Sequence, residues 1–419
     1  MKICVYTLGC KVNQYESGVL VNMLCSLGYE AFEGLDFADA FILNSCAVTA
    51  EAEKKSRQTV AKMVKLNPDC KIYVIGCASQ SNPVQFEKYS NVRFIKGVAG
   101  KTKIVEAIVK DLSGAEIDEL PAAYEYTVPA QKTKTRQTIK IQDGCNNFCS
   151  YCLIPYLRGR NRSRQISDIL NEVNKAKDSV NEIVLTGIDI SSYGKDIGTN
   201  LSELIKNLDN IGVRLRLGSL EANVINRDFL AVLSQNKWFC RHFHLSLQSG
   251  SDRVLKKMNR HYSTQEYFEK VRLIKEFFPD ANVTTDVIVG FPGETEEMFD
   301  ETCEFVKKVG FGDIHVFPYS ARKGTVASKF PQVDAETKKK RAEILGSIKL
   351  QLKREFLTSF LNKRLYVLTE EVHNDKICGY THNYLKVYLD KNTVKENTEY
   401  LVLLKDFFED GLSGEVIYE

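Results

Sequence analysis

No apolar run in the 419-residue chain approaches the roughly 18 to 20 residues that span a bilayer, and the opening MKICVYTLGCKVNQ lacks the basic-then-apolar order of a secretory signal. A cytoplasmic protein with no membrane partner is expected. Low-complexity tracts are missing too. With 43% apolar and 26% charged residues the chain buries enough surface to offset its conformational entropy, which excludes long disorder. Excess charge of one sign is also lacking: 57 basic residues against 54 acidic leave +3, which by itself predicts no polyanionic partner. The length exceeds what one core supports, so several domains are expected.

Cysteine, by contrast, is plentiful, with twelve in the chain. In a reducing cytosol they read as metal ligands and small buried hydrophobes rather than as a disulfide framework. Charge is also unevenly spread. From Ala130 to Arg164 there are eight bases, Lys132, Lys134, Arg136, Lys140, Arg158, Arg160, Arg162 and Arg164, against Asp143 alone, a local balance of +7. A second basic stretch runs from Lys338 to Arg354. Between Leu357 and Glu419 seven bases face eleven acids, a balance of −4.

Hydrophobic periodicity divides the chain in three. Over residues 1–120 the runs Ile3–Leu8, Phe41–Asn44 and Ile72–Gly76 each precede a stretch of helical period, which predicts an open α/β sheet. Residues 121–137, with two prolines and little apolar periodicity, read as a linker. Six β-branched runs follow over 138–355: TIKIQ, EIVLT, RLRLGS, HFHLSLQ, TTDVIVG and DIHVFPYS. Each leads into a helical segment, the pattern of parallel strands in a full or partial barrel with its chemistry at their carboxyl ends; an open sheet has the same pattern. After a basic helix around Ala335–Phe360, residues 356–419 carry strands without helices and predict a small antiparallel barrel.

The segment Asp143-Gly-Cys-Asn-Asn-Phe-Cys-Ser-Tyr-Cys152 sets three thiols at C-x3-C-x2-C directly after a strand. Cys145, Cys149 and Cys152 can hold three corners of a [4Fe–4S] cube and leave the fourth iron open. The alternatives are zinc, which wants a fourth ligand that no nearby residue supplies, and buried spectator thiols. Thr186, Gly187, Ser219, Glu221 and Gln248 follow the second, third and fourth strands, where they suit a cofactor's polar groups or serve as turn and cap residues. His242 and His244 share one strand face without a third ligand nearby in sequence.

Cys10, Cys46 and Cys77 each stand just past a predicted strand of the N-terminal sheet, where carboxyl ends converge on one crevice. A second three-thiolate cluster is one reading, buried free cysteines the other. Glu51 and Glu53 suit the first turn of the helix after Cys46. Cys4, Cys25, Cys70, Cys240, Cys303 and Cys378 lack such placement.

The C-x3-C-x2-C motif, with Tyr151 before its last cysteine, resembles the signature of radical S-adenosylmethionine (SAM) enzymes. Together with TLGCKVNQYES, NSCAVTAEAEKKSRQ, GCNNFCSYCLIPYLRGRNRSR, DVIVGFPGET and FPYSARKGT it resembles the radical SAM methylthiotransferases over nearly the whole chain. That resemblance implies two [4Fe–4S] clusters, one at Cys145, Cys149 and Cys152 that cleaves SAM and one at Cys10, Cys46 and Cys77 that handles sulfur. It implies SAM contacts from Tyr151, Thr186, Gly187, Ser219, Glu221 and Gln248, a partial (β/α)6 barrel, a C-terminal TRAM barrel, and a small electron donor such as flavodoxin or ferredoxin. KVNQYES and AVTAEAEKKSRQ are similar to the branch acting on N6-threonylcarbamoyladenosine 37 of tRNA, and Thr49 stands where the isopentenyladenosine branch commonly has arginine. The anticodon loop is then the partner, with Arg158, Arg160, Arg162 and Arg164 as stem contacts. The same chemistry on isopentenyladenosine 37 or on a ribosomal-protein aspartate, the latter suited by the acidic C-terminal barrel, and a non-catalytic two-cluster electron carrier or nucleic-acid-binding module are the competing readings.

Overall fold

The computed structural model describes residues 1–125 and 135–418. Most of the expected linker, with Lys132 and Lys134, lies outside the described residues.

The N-terminal sheet is parallel throughout. Its strands are β1 (Lys2–Thr7), β2 (Glu30–Glu33), β3 (Ala40–Ser45), β4 (Lys71–Gly76), β5 (Val92–Lys96) and β6 (Gly114–Glu116), in the order β2-β1-β3-β4-β5-β6. The apolar runs read from sequence are its central strands, and helices on both faces bury Phe41, Leu43 and Val74 on one side and Val5, Ile42 and Ile75 on the other. The strand order reverses between β1 and β3, the point where open α/β sheets place ligands. The helix Ala50–Leu66 starts there because the Thr49 hydroxyl accepts the Ala52 N–H at 3.0 Å and Glu51 and Glu53 occupy the positive first turn.

The central domain opens with β7 (Arg136–Lys140) and a short antiparallel pair, β8 (Gln142–Asp143) and β9 (Arg162–Ser163), that pinches the cysteine loop at its base. Then β7, β10 (Glu182–Thr186) and β11 (Arg214–Leu217) form one parallel sheet, and β12 (His242–His244), β13 (Asn282–Val289) and β14 (Asp313–Pro318) another. Single parallel bridges, Leu215 to Phe239 and Leu220 to Leu245, join the two across their seam. The six expected βα units therefore make a partial barrel around one continuous apolar core that includes Ile139, Leu185, Leu217, Phe243 and Val287.

The long helix Ala335–Thr358 leads to β15 (Arg364–His373), β16 (Lys376–Thr381), β17 (Lys386–Asp390), β18 (Glu399–Phe408) and β19 (Gly411–Val416), a closed barrel in the order β15-β16-β17-β19-β18. It departs from the wholly antiparallel barrel expected from the sequence: β17 and β19 pair in parallel, because directions cannot alternate all the way round a ring of five strands. This barrel sits against the amino ends of the central strands. Arg214 pairs with Glu399 at 2.6 Å, Arg136 with Glu370, and Asn181 donates to the Asn397 carbonyl at 2.8 Å. The carboxyl ends of those strands are left to the N-terminal domain. Among the described residues no helix is long and apolar enough to cross a membrane.

Candidate active site

The C-x3-C-x2-C loop is shaped by close backbone approaches. Gly144 has φ +71°, and a Cβ there would stand 1.9 Å from the Arg160 carbonyl oxygen, so only glycine lets the two arms of the loop meet. Cys145 donates its N–H to the Gly159 carbonyl at 3.0 Å, and the Ser150 N–H reaches the Met258 carbonyl at 3.0 Å, tying the loop to the barrel. N–H groups then aim at sulfur: Asn147 at Cys145 (3.4 Å), Ile154 at Cys152 (3.4 Å) and the Arg260 guanidinium at Cys149 (3.4 Å). Such donors support metal-bound thiolates.

In the N-terminal domain, Cys10 caps the 16-residue helix Lys11–Ser26, Cys46 follows β3, and Cys77 begins the short helix after β4. Each thiol lies within electrostatic reach of the other two. Gly9, at φ +108°, permits the approach, since a Cβ there would stand 2.9 Å from Cys46 Sγ. The Val48 N–H points at Cys46 Sγ at 3.5 Å. Cys77 packs in one apolar cluster with Leu153 and Leu157, the residues just past Cys152, and acts electrostatically on Cys152, which brings the two triads to the same domain boundary.

Both triads fit iron–sulfur clusters on the chemistry of their donors. Burial pushes the Cys145 and Cys152 thiols up to about 12 and Cys46 to about 11, so without a cationic group they stay protonated at neutral pH. Cluster iron makes ligands of them with release of protons. The other six cysteines lie apart, five buried and Cys25 exposed.

A buried charge network bolts the two domains together beside these triads. Glu16 pairs with Lys101, with Lys140 at 2.9 Å and with Arg158 at 3.0 Å, while Asp143 pairs with Lys140 at 2.6 Å and Arg158 at 3.1 Å. Burial alone would raise the Glu16 carboxyl, but Arg158, Lys101 and Lys140 hold it well below the usual range. Arg158 further donates to Asn13 Oδ1 at 2.7 Å, and its charge opposes the burial that raises the Cys10 thiol.

The network corrects the expectation of an arginine-rich RNA contact. Arg158, Arg162 and Arg164 are 1%, 3% and 3% exposed. Arg162 donates to the carbonyls of Arg158 and Arg160 at 2.7 and 2.9 Å, and Arg164 pairs with Glu172. Buried and already engaged inside the protein, these three cannot meet phosphates. Arg160 alone is exposed, with its guanidinium 4.4 Å from the centre of the Phe148 ring, itself edge-on to exposed Tyr156.

Of the residues expected at the cofactor, Thr186 and Gly187 end β10 beside Gln142, Ser219 opens onto the central cavity, and Glu221 pairs with Arg260, the residue that reaches Cys149. Gln248 adopts φ +70°, a strained backbone for a non-glycine residue, at the end of the bridge to Val287. Tyr151 packs edge-on against Phe291 at 6.4 Å. Sequence reasoning missed Asp189, which accepts from Asn147 Nδ2 at 3.3 Å beside Cys145 and keeps a buried oxygen without a partner. Its position three residues past Thr186 was the one signal that could have found it.

A cavity of about 550 Å³ lies in the barrel lumen, lined among others by Lys11, Ser219, His242 and His244 and by Tyr380 and Tyr384 of the small barrel. The lumen also supplies the partners that His244 lacked in sequence. Asp286 of β13 stands 3.3 Å from His244 Nε2, and His315 of β14 joins them, with ligand atoms of all three within 4.8 Å of one another. The Lys11 side chain is accessible from the cavity, yet desolvation by the surrounding walls lowers its pKa, and Arg216 and Arg136 lower it further.

The chain matches two family models: "Radical SAM superfamily" over residues 139–306 and "Uncharacterized protein family UPF0004" over residues 2–97. It is 37% identical to the threonylcarbamoyladenosine tRNA methylthiotransferase MtaB of Bacillus subtilis, with 92% of this chain and 89% of that protein covered. It is also 37% identical to the tRNA-2-methylthio-N(6)-dimethylallyladenosine synthase of Acetivibrio thermocellus, covering 89% of this chain and 82% of that one. In fold it resembles the radical SAM methyltransferase TsrM of Kitasatospora setae, with a TM-score of 0.57 at 13% identity over 78% of this chain and 74% of that one. Two facing thiol triads, a partial (β/α)6 barrel and relatives aligned over nearly the full length agree: the chain belongs to the radical SAM methylthiotransferases, enzymes that use [4Fe–4S] clusters and SAM.

Proposed function

We propose that this enzyme places a methylthio group on C2 of N6-threonylcarbamoyladenosine at position 37 of tRNA. The observation that carries the reading is the juxtaposition of the two triads, with Cys77 packed in one apolar cluster with Leu153 and Leu157, just past Cys152, so that one base can reach both. When bound, the cluster at Cys145, Cys149 and Cys152 supplies the electron that cleaves SAM, and the one at Cys10, Cys46 and Cys77 carries the sulfur.

The chain's own residues bind, orient and exclude water. Thr186, Gly187, Ser219, Glu221 and Gln248 hold the polar groups of SAM, and Tyr151 packs beside them. The base must leave the anticodon loop to enter, which single-stranded RNA permits at modest cost. Arg160, with Phe148 and Tyr156, gives it a cationic and aromatic entrance beside the cluster loop. The five-stranded barrel takes the TRAM role of engaging tRNA, and a flavodoxin- or ferredoxin-like donor delivers electrons in the cytoplasm.

Nucleoside mass spectrometry of tRNA from cells with and without the protein tests this reading. Loss of 2-methylthio-N6-threonylcarbamoyladenosine on deletion is expected. Loss of the isopentenyl counterpart instead would move the enzyme to the other branch.

A further inference from the structure

We propose that the barrel cavity is the pocket for the N6 substituent of the substrate base, and that Lys11 binds the carboxylate of its threonine moiety. This rests on the substrate reading above. Two other lysines that line the cavity are committed, Lys353 to Asp313 at 3.4 Å and Lys386 to Asp410 at 3.1 Å. Among the described residues no carboxylate lies within ion-pair distance of Lys11; the more distant Glu182 acts on it but is already paired with Arg216 at 2.9 Å and Arg136 at 3.3 Å, so the Lys11 cation faces the cavity without a partner of its own.

Ser219, His242, His244 and Thr284 add polar side chains to the same walls. The threonylcarbamoyl group offers a carboxylate, a hydroxyl, a urea carbonyl and a urea N–H. An isopentenyl group offers none of these and would leave the Lys11 cation uncompensated in the cavity, the kind of mismatch that discriminates strongly.

Chain connectivity supplies the placement. Lys11 directly follows Cys10, so the turn that presents a thiol of the N-terminal triad also sends a cation into the lumen. On adenine, C2 and C6 flank N1. A base whose C2 meets the sulfur-bearing triad therefore directs its N6 substituent a few Å away, toward the neighbouring wall. At about 550 Å³ the cavity is within the size range of small-ligand sites.

The test measures binding of short anticodon stem-loop RNAs to the anaerobically reconstituted full-length protein. The RNAs carry, at position 37, threonylcarbamoyladenosine, its carboxamide analogue, or isopentenyladenosine. Wild type should bind the acid about tenfold to a hundredfold more tightly than the carboxamide, the range for a hydrogen bond to a charged partner. Lys11→Gln should bring that ratio to near one, Lys11→Arg should keep most of it, and iron content per chain should show that both variants fold. Undiminished acid-over-amide preference in Lys11→Gln, with wild type still preferring threonylcarbamoyl RNA, overturns the role of Lys11 alone. Preference of the wild type for isopentenyl RNA overturns the substrate reading and the pocket with it.

Discussion

Replacing Arg158 by methionine separates a buried strut from an RNA-binding residue. The guanidinium donates to both carboxylates of the domain boundary, Glu16 at 3.0 Å and Asp143 at 3.1 Å, and to Asn13 at 2.7 Å. Breaking a buried pair by removing one partner costs about 3–5 kcal/mol, because the remaining charge is left uncompensated. Here Lys101 and Lys140 stay to neutralise the carboxylates, which places the loss nearer about 3 kcal/mol. That is a large share of the roughly 5–15 kcal/mol that holds a typical protein folded. Anaerobic urea denaturation of the cluster-free protein should show the lower midpoint, and a salt titration of tRNA binding should give the wild-type slope. Removing a side chain that neutralises one phosphate would flatten that slope by about 0.9. A variant as stable as wild type whose slope falls by about one would refute the buried role.

Three further outcomes are expected. Cys149→Ala, which removes one of the three ligands in the barrel loop, should abolish reductive cleavage of SAM to 5′-deoxyadenosine while leaving far-ultraviolet circular dichroism unchanged; cleavage at the wild-type rate would remove this triad from the chemistry. Exposed Arg160→Ala should weaken tRNA binding and reduce the salt slope by about one, without shifting the urea midpoint; an unchanged slope would place the RNA elsewhere. Glu182 is buried, which alone would raise its carboxyl, but Arg216 and Arg136 bring it from 4.5 to about 2. A folded-state pKa below the unfolded value stabilises above the unfolded pKa and is lost as pH falls, so about 3 kcal/mol should disappear between about pH 4.5 and 2 in urea titrations of the cluster-free protein. Stability unchanged down to about pH 2.5 would contradict the pairing.

The parts of the molecule legible in sequence are those set by local pattern. Runs such as EIVLT and TTDVIVG carry their own β signal, and the cysteines after β1, β3 and β4 are positioned by strand ends that the same signal marks. Strands β2, β5 and β6 escaped because they span only three to five residues at or near an edge, with too few side chains to show a period. The arginines were misread for a different reason. A charge count over one window sees Asp143 but not Glu16, which arrives from another domain 142 residues earlier to meet Arg158. His244 likewise finds Asp286 and His315 only after two further strands close beside it. Folding decides which charges are neutralised internally, and a window of sequence cannot.

The two thiol triads are assigned separate jobs, and the triple variant Cys10→Ala, Cys46→Ala, Cys77→Ala tests that division most directly. Iron content, Mössbauer spectra and product mass are measured beside wild type after identical anaerobic reconstitution. Wild type should hold about eight irons per chain and the variant about four, in keeping with one four-iron cluster per triad. The variant should still cleave SAM to 5′-deoxyadenosine when reduced, and yield no methylthiolated nucleoside. About four irons in wild type, or a methylthiolated product from the variant, would contradict the account.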